Sequence, residues 1–71
     1  MEPDQRVQSV IFRRNKYNNK QAVAWLDKHG YIHPKSHVTR NYIRFRQFDP
    51  IPDDRYFMKP AANGIFLVIA Y

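Results

Sequence analysis

Apolar and polar positions along this chain of 71 residues repeat with two different periods. Arg6 to Arg13 is rich in Val and Ile, with Phe12 just inside its end, which predicts a strand over 6–13. Ala22, Trp25, Leu26 and His29 then recur at i, i+3, i+4 and i+7, one face of a helix, with Val23 flanking. Asn18 or Asn19 can cap its first turn, because a short amide oxygen accepts from the free N–H groups there. Gly30 follows as the residue whose positive φ closes a helix, so the spacing predicts a helix over 19–29. On that face Trp25 reads as core.

Val38 to Phe48 alternates again and reads as one strand, 38–48. Arg40, Tyr42, Arg44, Arg46 and Phe48 would share one side, and Ile43 and Phe45 would face the core from the other. Pro50 and Pro52 stop it, since each removes a ladder donor. A short strand over 55–59 is followed by a turn from Pro60 to Gly64 and a last strand, 65–71, that is apolar throughout. The expected fold is α+β: a single β-α-β-β-β domain, one helix packed on a mainly antiparallel sheet of four strands, the last three forming a meander. In it, Ile65, Phe66, Leu67, Val68, Ile69 and Tyr71 would be apolar on both sheet faces while the helix covers one. These six are therefore expected to meet covering loops, a second copy of the chain or another protein.

Composition narrows the class. There is no cysteine, so neither disulfides nor thiolate metal sites reinforce so small a domain, and the eleven aromatics become its main apolar mass. Met1 to Arg6 is acidic and lacks an apolar run, which argues against a signal peptide. The longest apolar run is far too short to span a bilayer, so no membrane association and no secretion are expected.

Net charge is +6, unevenly spread: residues 5–48 carry +9, the first four −2 and residues 49–71 −1. Such a basic block suits a polyanion. On the predicted strand Arg40, Arg44 and Arg46 can track phosphates while Tyr42 and Phe48 stack on bases, and Arg13, Arg14 and Lys16 extend the patch if the first strand lies alongside. The plainer reading is that arginine stems cover an apolar face and the charges pair with Asp49, Asp53 and Asp54.

Other candidate chemistry is thin. His29, His33 and His37 recur every four residues, but Gly30 and Pro34 interrupt any common helix, so no metal site is expected; His29 should lie half-buried at the helix end. Asp49, Asp53 and Asp54 share one Pro-rich linker, whereas a metal nuclease needs acids converging from separate elements. Ser9 and Ser36 lack a patterned base, and two glycines cannot build a phosphate cradle. No enzyme activity, cofactor or small-molecule substrate is expected.

Val7-Gln8-Ser9-Val10-Ile11-Phe12, the Trp25-Leu26-Asp27-Lys28-His29-Gly30-Tyr31 helix end, Tyr42 to Pro50 and Asn63-Gly64-Ile65 together resemble a small uncharacterised domain of tailed phages and large DNA viruses. The resemblance covers nearly the whole chain. It implies a viral or phage origin, with the host cytoplasm, the nucleus or the virion as location, and it implies no catalytic residue. The expectation from residues and resemblance is a non-catalytic binding module that contacts nucleic acid. The alternative is a virion structural or assembly protein that docks on other viral proteins.

Overall fold

The computed structural model describes residues 6–71. The acidic start on which the signal-peptide reading rested lies outside the described residues except for Arg6. Five strands and one helix follow: β1 (Arg6–Arg13), α1 (Asn19–Lys28), β2 (His37–Val38), β3 (Tyr42–Arg46), β4 (Tyr56–Ala62) and β5 (Ile65–Ala70). The helix packs on one face of a single antiparallel sheet, so the α+β expectation holds.

A helix of ten residues is marginal alone. Local chemistry helps it start and stop. Asn18 accepts from the Gln21 backbone N–H at 2.8 Å, and the Gln21 side chain accepts from the Asn18 N–H at 2.9 Å, a reciprocal capping box. At the other end Gly30 takes φ +77°, and the Tyr31 N–H donates to the Leu26 carbonyl at 2.9 Å. Ala22 and Leu26, both fully buried, anchor it to the sheet.

The strand order is β2-β3-β1-β5-β4, which corrects the expected meander. β1 and β5 are apolar on both faces and lie side by side inside the sheet, where both faces can be covered. β4 goes to an edge, and the 47–55 connection passes the start of β1, where Arg6 pairs with Asp54 at 2.6 Å. β4 also runs through Pro60, which the sequence reading placed in a turn. The reason lies in its register. Arg55 and Tyr71 exchange two backbone hydrogen bonds, so Phe57 and Lys59 also point their polar backbone groups at β5, while Tyr56, Met58 and Pro60 point theirs outward. The donor that proline lacks is one the sheet does not use.

The stretch 38–48 is not one strand. It turns back at Thr39-Arg40-Asn41, where Thr39 Oγ1 accepts from the Tyr42 N–H at 3.2 Å, and the remainder forms a β2–β3 hairpin. This makes five strands instead of four and removes Arg40 and Phe48 from the expected stripe.

Paired residues of an antiparallel ladder share a face. Val10 and Phe12 pair with Phe45 and Ile43 on one side and with Leu67 and Ile65 on the other, and these six form the floor under the helix. Phe12 is fully buried, with edge-on contacts to Tyr17, Trp25 and Phe45 at 5.5–5.8 Å between ring centres. Trp25, partly buried, packs against this core as expected. The face assignment has a direct check in urea unfolding. Phe45→Ala is expected to cost about 3–5 kcal/mol, the range for a truncated core aromatic. Arg44→Ala, one residue away on the other face, should cost about 1 kcal/mol or less.

Candidate nucleic-acid interface

The face turned away from the helix carries Arg13, Ile11 and Ser9 from β1, Tyr42, Arg44 and Arg46 from β3, His37 from β2, Phe66, Val68 and Ala70 from β5, and Tyr56 and Met58 from β4. It is neither flat nor bare. His37 on one edge and Met58 on the other line the same groove of about 450 Å³, so the sheet curls across all five strands. Ile11, Val68 and Ala70 are buried beneath the longer side chains around them. The second face of β5 is thus covered largely from within the sheet. Of the six residues expected at a partner interface, Ile65, Val68 and Ile69 are buried inside the domain, Phe66 and Leu67 are half-buried, and Tyr71 is exposed.

Arg44 and Arg46 are half-buried. Arg44 stands opposite Ile11 and Arg46 opposite Ser9, so their methylene stems roof the apolar floor. This much of the plainer reading is realised. Its ion pairs are not: among the described residues the only carboxylate partnerships are Arg6 with Asp54 and His33 with Asp27. Arg46 Nε is buried and lacks an acceptor among the described residues. A donor in that state costs about 1–3 kcal/mol.

A second concavity of about 280 Å³ opens at one end of the sheet, where the turn after β1 meets the β2–β3 turn. Its walls are Arg13, Arg14, Asn15, Arg40, Asn41 and Tyr42, three guanidinium groups and two amides without an acid. Arg14 ties the two turns together. Its backbone N–H donates to the Asn41 carbonyl at 2.9 Å, and its Nη1 donates to the carbonyls of Thr39 at 2.9 Å and Arg40 at 3.3 Å. Arg13 lies over the Phe66 ring at 5.6 Å, a cation–π contact between β1 and β5. Tyr42 lines both concavities.

The structure therefore divides the expected stripe. Tyr42, Arg44 and Arg46 share the groove, Arg13 and Arg14 join Arg40 in the end pocket, and Lys16 lines neither, its stem lying against Gly64. Phe48, expected among the stacking rings, lies past the end of β3 beneath the Arg6 guanidinium at 5.0 Å, and its carbonyl accepts from Gln8 Nε2. His37 and Met58 were missed in the sequence. The Thr-Arg-Asn turn was the available signal for His37, whereas Met58 reaches the groove only through curvature. The other histidines have separate contacts. His29 is exposed, not half-buried, and stacks on Trp25 at 3.9 Å; His33 bonds Asp27 at 2.7 Å.

The orphaned Nε sets up a measurable trade. Arg46→Met keeps the apolar stem and removes the buried donor. Thermal and urea unfolding are expected to show stability unchanged or raised by about 1 kcal/mol. A loss larger than that would mean the guanidinium is well satisfied in the free protein.

No helix among the described residues is long and apolar enough to cross a membrane. No family model, curated protein or solved structure matches the chain.

Proposed function

We propose that this protein is a non-catalytic binding module that contacts nucleic acid through the curled face of its sheet. The observation that carries the reading is Arg44 and Arg46 in an apolar-floored groove with Arg13 in the adjoining end pocket, none of the three paired with a carboxylate among the described residues. Guanidinium groups held on rigid strands suit phosphates, and the Tyr42 ring between them suits a base. The charge distribution agrees, since +9 lies within residues 5–48. The likeness of the helix end and the Arg-rich segment to the phage and viral domain supports a role in a virus-infected host cell or in the virion.

A second reading, docking on a viral protein or a second copy, is favoured by β4. That strand is exposed along its length, turns the backbone groups of Tyr56, Met58 and Pro60 outward, and shows Tyr56, Phe57 and Met58 to solvent. The two readings share Met58, which edges the groove and stands on β4.

Salt dependence tests the first reading. Three phosphates neutralised by these arginines give a slope of log affinity against log salt of about −2 on single strands and about −2.7 on duplex. Binding measured by fluorescence anisotropy should therefore weaken roughly 20- to 40-fold between 50 and 200 mM salt. Affinity that ignores salt, or none at 50 mM, would favour protein docking. Light scattering across a concentration series checks the second reading, with a monomer at every concentration counting against self-association.

A further inference from the structure

We infer that the nucleic acid taken by this face is single-stranded, with a phosphate seated in the Arg13–Arg14–Arg40 pocket and the adjoining base stacked on Tyr42 at the mouth of the groove. The inference rests on the proposed nucleic-acid contact and names its substrate class. The key observation is that the two concavities meet at one side chain. The end pocket is walled by guanidinium groups and amides, whereas the groove is floored by Ile11 and edged by Met58, and Tyr42 belongs to both. A ligand filling them must place charge at one end and a flat apolar surface directly beside it.

A duplex does not offer that combination. Its bases are stacked and paired inside, and its accessible surface beside the phosphates is mostly sugar, so Ile11, Tyr42 and Met58 would gain little. An unpaired strand offers a phosphate and a free base face in each nucleotide. Aromatic rings hold such bases without regard to sequence, because every base has a π face. Charge complementarity supports the same occupant: the end pocket has no acid in its walls, and Arg44 and Arg46 line the groove.

The pocket is also set in advance. Arg14 spends its Nη1 and its backbone N–H on the β2–β3 turn, so it acts as a positioning residue that holds Arg40 and Asn41 in place. Arg13 and Arg40 keep their guanidinium groups free of carboxylates among the described residues. A site that is already ordered loses less conformational freedom on binding.

The experiment compares a labelled ten-nucleotide DNA strand, the RNA strand of the same sequence, and the DNA duplex, by fluorescence anisotropy at 100 mM salt. At least one single strand is expected to bind tenfold or more tightly than the duplex, and the DNA-to-RNA ratio tells which source is preferred. Tyr42→Leu should weaken single-strand binding roughly 5- to 160-fold, the range for a lost base–aromatic stack. It should leave duplex binding unchanged. Tyr42→Phe should restore single-strand binding, which a purely structural role of the hydroxyl would not allow. Arg40→Ala should lower the single-strand salt slope by about 0.7, one phosphate. Circular dichroism melts of each variant confirm the fold. Duplex binding as tight as single-strand binding, or Tyr42→Leu without effect on a folded protein, overturns this inference and leaves the electrostatic contact standing. No binding of any of the three at 50 mM salt overturns the proposed contact itself.

Discussion

β1 pairs on both edges and packs on both faces, and the other elements are placed by that single strand. Its partners are β3 on one side and β5 on the other, each antiparallel. Val10 and Phe12 project toward the helix, and Ser9 and Ile11 project into the opposite face, all four buried or nearly so. A strand surrounded in this way cannot shift register by one residue without exchanging its two faces. Phe12 makes the constraint sharper. Its ring is the one on which Tyr17 from the turn, Trp25 from the helix and Phe45 from β3 converge. In so small a domain that cluster supplies much of the apolar burial that chain ordering must be set against.

The opposite face shows how a small protein can keep charge without giving up its floor. Arg44 and Arg46 stand opposite Ile11 and Ser9, half-buried, and cover apolar and hydroxyl side chains with their stems. The arrangement has a cost at Arg46 Nε, which is shielded from water with no acceptor among the described residues. The end pocket follows the same logic by other means, since Arg14 gives up its own freedom to fix a turn whose residues then face outward.

The two edges are protected differently. β2 is only two residues long, which leaves little for another strand to pair with. β4 is long and exposed, yet Pro60 withdraws a donor from its free edge and Lys59 puts a charge on it. The groove and this edge meet at Met58, which lines the one and stands on the other.

Local chemistry was enough to read several elements from the sequence. The helix was legible because Asn18 and Gly30 mark its ends and Ala22, Leu26 and Trp25 its buried side, all within short chain distance, while the Gln21 half of the capping box came only with the structure. β1 and β5 were legible because a Val- and Ile-rich run and a continuous apolar run, each bounded by charge or turn residues, have few alternatives. The alternation of Tyr42, Ile43, Arg44, Phe45 and Arg46 set their two faces correctly, since a period of two is a property of the backbone. What tertiary structure alone decided was how far that period extends and what lies next to what. The Thr39–Asn41 turn is stabilised by Arg14 from a distant segment, so alternation ran on to Arg40 and Phe48 where the strand does not. Strand order was likewise hidden, because pairing β1 with both β3 and β5 depends on which strands need cover on two faces. The groove required one thing more: the curvature of five paired strands, which brings Met58 and His37 to one site and which no single segment encodes.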